Sequence, residues 1–213
     1  MDEIIKKITG FSYCDLGMRL TKNADKNNVL SAFDEIIKEA LSVVAPVEDP
    51  FLMNVSGIPG SGKSTWCRRI MAKSTNLLYI SFDEIMNDKR LPYRLAEKEN
   101  ARKAFDEWEL PARIAGYELL RRAVLQKKNI LLEHSSSIVE HLQLFEWILN
   151  SGYKVHFRYV PVSVVAAERR VLERAKKEGR VVPDGYVKSR YRMLNDLLPA
   201  YEKLCTTYEV LYD

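Results

Sequence analysis

The pattern of apolar and polar positions divides the chain near residue 48. Upstream, Val29/Leu30, Phe33, Ile36/Ile37, Ala40/Leu41 and Val44 recur at helical spacing, with Asp34, Glu35, Lys38 and Glu39 between them. One face is therefore wet and the other seeks a partner, and Pro46 closes the run. Downstream, short apolar runs alternate with longer amphipathic stretches. The runs 51–56, 77–82, 129–133, 154–160 and 208–212 read as strands, and 64–73, 96–127, 138–150, 163–177 and 186–201 as helices. Strands separated by helices need crossover connections, so the pattern predicts an α/β fold: a five-stranded parallel sheet with helices on both faces. Two regions follow: an N-terminal helical extension over 1–48 and an α/β domain over 49–213.

Between the first strand and the helix after it lies Gly57-Ile58-Pro59-Gly60-Ser61-Gly62-Lys63-Ser64-Thr65. This matches the phosphate-binding loop, or Walker A motif, G-x-x-x-x-G-K-[ST], in the strand–loop–helix context that the motif requires. Glycines let the backbone curl until successive N–H groups point at one anion. Lys63 supplies a mobile charge for β- and γ-phosphates, Ser64 a hydroxyl for Mg²⁺, and the helix start aims its positive end at the same place. ATP and Mg²⁺ are the expected cofactors.

Ligands of such sheets sit beyond the carboxyl ends of the strands. Asp83 and Glu84 follow the second strand, and Glu133, His134 and Ser135 to Ser137 end the third. We assign Asp83 as the base that accepts the proton of an attacking hydroxyl, with a secondary contact to a magnesium-bound water; it is also a good helix cap. Glu84 reads as a first-turn helix residue. Glu133 closes an apolar strand and needs a partner, either an acceptor or a basic side chain. His134 reads as a structural histidine or an acceptor contact, His141 and His156 as structural, and the serines as a cap for the following helix. Arg170 and Arg174 share a helix face, and Arg180 follows Gly179 in a turn; Arg174 and Arg180 are the candidate phosphate clamps. Arg90, Tyr93 and Arg94 read as a grip for an anionic or sugar-like acceptor or as ordinary surface, and Trp108 and Tyr117 read as helix core.

Composition narrows the class. The 213 residues are 46% hydrophobic with a net charge of +4. That suits an anionic substrate, but no dense basic run with interleaved aromatics points to nucleic acid. Cys14, Cys67 and Cys205 are odd in number and widely spaced, which argues for a reducing compartment. No apolar run approaches the length of a membrane span and no secretory signal is visible, so a cytoplasmic protein is expected.

With these residues in view, the chain resembles the zeta-toxin family of P-loop kinases and, more distantly, bacteriophage polynucleotide kinase. The resemblance covers roughly 51–213. It rests on the phosphate loop, on Asp83 within Ser81-Phe82-Asp83-Glu84-Ile85-Met86, and on Leu131-Leu132-Glu133-His134-Ser135. Gly152-Tyr153-Lys154-Val155 and Gly179-Arg180-Val181-Val182-Pro183 complete the set. It implies a sheet order of 2-3-1-4-5, Asp83 as base, Lys63 and Ser64 as ATP and Mg²⁺ contacts, Glu133 as an acceptor contact, and Arg174 and Arg180 as clamps. It further implies phosphorylation of a sugar hydroxyl, as zeta toxins phosphorylate UDP-N-acetylglucosamine. A helical antitoxin covering the ATP site is implied too; residues 1–48 would be such a cover in cis or, the reading we favour, a packing appendage. Family members place a basic residue three or four positions after the base; here Met86 and Asn87 stand there, which leaves the acceptor open. The alternatives are a 5′-hydroxyl polynucleotide kinase and a nucleotide-dependent switch that turns over little.

Overall fold

A computed structural model describes residues 1–20, 26–178 and 182–212. Helices α1 (Asp2–Thr9), α2 (Leu16–Arg19) and α3 (Lys26–Ser42) precede the sheet. There follow β1 (Phe51–Ser56), α4 (Lys63–Met71), β2 (Leu78–Ser81), α5 (Phe82–Met86), α6 (Tyr93–Leu125), β3 (Ile130–His134) and α7 (Glu140–Asn150). The chain closes with β4 (Lys154–Tyr159), α8 (Val164–Glu178), α9 (Tyr186–Leu204) and β5 (Thr207–Val210).

All strand pairs are parallel and the order is β2-β3-β1-β4-β5, the order expected. The central strands are buried because crossover helices cover both faces, which is why β1 and β3 read as apolar runs. Register fixes the functional edge. Glu133 of β3 lies level with Val55 of β1 on one side and Ser81 of β2 on the other. The loops that leave these three strands therefore start side by side.

Two boundaries differ from expectation for identifiable reasons. Phe82 leaves the sheet and opens α5, because its ring packs edge-to-face on Tyr117 with centroids 4.9 Å apart. Gly116 makes that approach feasible: a Cβ there would lie 2.3 Å from the Phe82 ring. The long helix begins at Tyr93, not 96, and breaks at Asn100, whose backbone is extended (φ −156°). The Asn100 side chain accepts the Lys103 N–H at 2.9 Å, so it caps a new helical segment.

The N-terminal helices pack against α6 and α7. Ile5, Phe33 and Ile37 are buried in the same apolar cluster as Leu120 and Phe145. This is the partner that the apolar face of α3 required. Cys67 and Cys205 are buried packing residues and Cys14 is exposed; all three thiols are free. Among the described residues no helix is long and apolar enough to cross a membrane.

Candidate active site

The carboxyl ends of β1, β2 and β3 open into one cavity of about 910 Å³. This is near the upper end of the roughly 300–1,000 Å³ usual for ligand sites. The phosphate loop forms one wall. Gly60 turns the loop at φ +83°, and a Cβ on it would lie 2.6 Å from the Ala167 carbonyl oxygen of α8. That contact seats α8 directly on the loop, where Arg170 donates to the Gly60 carbonyl at 3.2 Å. Gly60→Ala should therefore strain the loop and push α8 away. We expect about 1–3 kcal/mol of lost stability by denaturant titration, with weakened ATP binding.

Gly62 (φ +100°) caps α4, whose free N–H groups face the cavity. Gly60, Gly62, Lys63, Ser64 and Thr65 line it; Gly57, Pro59 and the buried Ser61 shape the loop from behind. Lys63 donates to the Ile58 carbonyl at 3.1 Å. Burial pulls its pKa down, and the nearby carboxylates of Glu133 and Asp83 oppose that fall.

Both oxygens of Glu133 are engaged by hydroxyls. Ser64 Oγ donates to Oε1 at 2.7 Å, and the Tyr79 hydroxyl donates to Oε2. Burial, then the Glu133 charge, raises the Tyr79 pKa, so its proton stays in place. The juxtaposition of a loop hydroxyl and a carboxylate is an oxygen donor set that suits Mg²⁺. Among the described residues no cluster of three or more His, Cys, Asp or Glu side chains that could hold a metal ion exists.

Asp83 lines the same cavity from the first turn of α5. The cap position of α5 is Ser81, so capping is not the task of Asp83. Glu84 lies in the first turn of α5, as read from the sequence. Burial, then repulsion from Glu133, raises the Glu84 pKa. Arg170 and Arg174 reach the cavity from α8. Arg180, the other clamp candidate, lies outside the described residues.

Several sequence assignments land elsewhere. Arg90 is held by Asp88 at 2.8 Å and by Glu39 of α3 at 2.8 Å, and it does not line the cavity. Arg94 is exposed and also off the cavity. Arg90 belongs to the turn before α6, which its bond to Glu39 ties to α3 rather than to the strand ends, and Arg94 lies in the first turn of α6. The serines after β3 do not cap α7: Ser136 Oγ accepts from Asn54 at 3.1 Å, and α7 has no side-chain cap. His134 lines the cavity but is buried, bonded to Tyr117 at 2.8 Å and to Ser136 at 3.1 Å.

The part of the cavity lined by α6 and α9 is built from residues to which the sequence reading gave no site role. Glu109, Arg113 and Tyr117 lie four residues apart and so form one stripe of α6, and Tyr186 and Arg190 repeat the spacing on α9. That periodicity was the available signal. Ile8 of α1 also lines the cavity. Among the described residues, seven lysines and arginines line the cavity against three acids (Asp83, Glu109 and Glu133), so it is built for a polyanion.

Comparison with known proteins places this geometry. No curated protein matches the chain. Its fold is similar to a chain of the PezAT chromosomal toxin–antitoxin system of Streptococcus pneumoniae, with a TM-score of 0.64 and 18% identity over 84% of this chain and 76% of that one. It is also similar to a chain of the AvrRxo1-ORF1:-ORF2 complex solved with ATP, with a TM-score of 0.65 and 12% identity. That likeness covers 86% of this chain and 63% of the other, so this chain spans less than two thirds of its length. At these identities the likeness is one of fold. The model of the zeta toxin family matches residues 34–212, from within α3 to the end of the sheet, with the phosphate loop, Asp83 and Glu133 inside it. The chain therefore belongs to the zeta toxin family and carries its nucleotide-dependent kinase fold.

Proposed function

We propose that this protein transfers the γ-phosphoryl group of ATP to a hydroxyl of a small-molecule acceptor. The observation that carries the reading is the sharing of one cavity by Lys63, Asp83 and Glu133, with polar side chains of α6 and α9 in the same lining. The α4 terminus and Lys63 hold the triphosphate. Asp83 accepts the acceptor's proton as its oxygen bonds to phosphorus and ADP leaves. Arg174, and Arg180 beyond the described residues, close on the transferring group, where charge spreads over the equatorial oxygens. Arg113 and Arg190 favour an acceptor that carries negative charge of its own. A UDP-sugar, the acceptor that the family resemblance implies, fits that requirement.

Ser64 and Glu133 would hold Mg²⁺, which when bound neutralises phosphate charge. Glu133→Gln keeps a hydrogen-bonding group opposite Ser64 and Tyr79 but loses the charge. We expect the Mg²⁺ concentration for half-maximal activity to rise about tenfold. An unchanged Mg²⁺ requirement with a raised acceptor KM would instead make Glu133 an acceptor contact.

Residues 1–48 are proposed as a packing extension whose α1 supplies Ile8 to the cavity lining. A helical partner protein, as the PezAT toxin–antitoxin system suggests, is proposed as an inhibitor that covers the cavity. The test of the function is a mass-spectrometric screen with ATP and Mg²⁺ against UDP-sugars, nucleosides, dinucleotides and 5′-hydroxyl oligonucleotides. A phosphate added to one small molecule supports the reading. Phosphorylation of the oligonucleotide alone, or tight ATP binding without ADP formation, overturns it in favour of a nucleic-acid kinase or a nucleotide-dependent switch.

A further inference from the structure

That chemistry leaves three buried groups at the cavity floor without a role: Tyr117 of α6, His134 at the end of β3 and His141 of α7. Their exposures are 0%, 5% and 4%, yet all three line the cavity. The Tyr117 oxygen lies 2.8 Å from His134 Nε2 and 3.2 Å from His141 Nε2. The two imidazoles meet edge to face at 4.2 Å, and Phe82, the residue before Asp83, packs on both Tyr117 and His134. The cluster thus abuts the helix that carries the proposed base.

The positions of the protons follow from the other nitrogens. The backbone N–H of Ser136 donates to His134 Nδ1 at 3.1 Å, and that of Ile138 donates to His141 Nδ1 at 3.4 Å. A ring nitrogen that accepts an N–H is bare. Ser136 Oγ, which accepts from Asn54 at 3.1 Å, has its own proton available for the same His134 Nδ1. A ring with one bare nitrogen is neutral and carries its single proton on the other nitrogen. In both rings that proton sits on Nε2. Two N–H groups therefore converge on the Tyr117 oxygen and occupy its lone pairs. Among the described residues that oxygen has no further partner, so its own O–H is left to give.

We propose that Tyr117 is the fixed hydrogen-bond donor of the acceptor half-site: His134 and His141 hold its oxygen as a double acceptor, and its O–H goes to an oxygen of the acceptor substrate. The proposal rests on the kinase reading above, because it places the acceptor beside ATP in this cavity. A phenol in water rotates its proton freely; here the direction is set before substrate arrives, and two incoming donors polarise the O–H and strengthen what it gives. With Arg113 and Arg190 on the same stretch of wall, the favoured recipient is an anionic oxygen such as that of a diphosphate.

The first test needs no acceptor. Long-range ¹H–¹⁵N spectra of the full chain labelled at histidine, with His156→Gln used for assignment, report which nitrogen of each ring carries the proton. Nε2–H in both His134 and His141 is expected. A proton on Nδ1 of either ring overturns the proposal, because Tyr117 would then donate to that ring. The second test measures UDP-N-acetylglucosamine binding in the presence of a non-hydrolysable ATP analogue. Tyr117→Phe should weaken it about tenfold and leave the affinity for the analogue unchanged. Equal UDP-N-acetylglucosamine affinity in the variant overturns the donor role. Failure of the kinase reading looks different: the wild type forms no ADP with any acceptor while the tautomers stand.

Discussion

Lys63→Ala should weaken ATP binding by roughly 10–100-fold and reduce turnover by a further 10²–10³-fold, with the fold retained. Among the described residues the ammonium has one protein acceptor, the Ile58 carbonyl at 3.1 Å, and its remaining N–H groups are available to phosphate oxygens. Binding loses a charge-assisted contact, and the chemical step loses a charge that faces the developing one. Stability behaves differently. Burial opposes the charged form of Lys63, so removing it relieves a desolvation cost while Ile58 loses a donor. These effects offset, and the denaturation midpoint should move by no more than the equivalent of about 1 kcal/mol. Titration calorimetry with ATP, beside a denaturant curve, checks both halves. Unchanged ATP affinity in a folded variant would remove Lys63 from the site.

Asp83→Asn should leave ATP affinity within about twofold and lower phosphoryl transfer by roughly 10²–10⁴-fold, the range expected for loss of a general base. The amide has the carboxylate's shape but cannot take a proton. Asp83 is not the cap of α5, so the helix has no reason to melt, and Phe82 still anchors it against Gly116 and Tyr117. Single-turnover rates separate this from a binding defect: the burst of product should vanish while nucleotide occupancy persists. A variant with full transfer would assign the base to another group in the same lining, such as Glu133.

Much of the fold could be read along the chain because its causes are local. Apolar runs broken by amphipathic stretches give strands and helices by their periods alone, and Gly57 to Thr65 specify their loop by backbone dihedrals and contiguous N–H groups. The sheet order was different in kind. Alternation predicts a parallel sheet, but only the resemblance to a family implied that β3 lies between β2 and β1.

The side of the cavity lined by α6 and α9 shows the limit. Tyr117 reads as core and is buried, yet it also faces the cavity. The stripe Glu109, Arg113, Tyr117 is present in the sequence, but a polar stripe says only that a helix has a face. Which way α6 turns it is decided by the contact of Gly116 with Phe82, two elements whose approach depends on both being docked. Arg90 makes the converse point. It stands near the base in sequence, but Glu39, 51 residues away, holds it on the α3 side. Glu133 shows a third case. Its place at a strand end was legible, but its two hydroxyl partners come from β2 and α4, and only the pairing of β2 with β3 and the docking of α4 on the sheet bring them to it.

The sequence by itself therefore determined the class of nucleotide chemistry, the alternation of elements and the edge on which they converge, because each rests on periodicity or on a contiguous motif. The tertiary structure decided which faces of α6 and α9 line the cavity, the partners of Glu133 and the contacts around Tyr117. Those depend on side chains far apart in the chain, and only packing sets their distances.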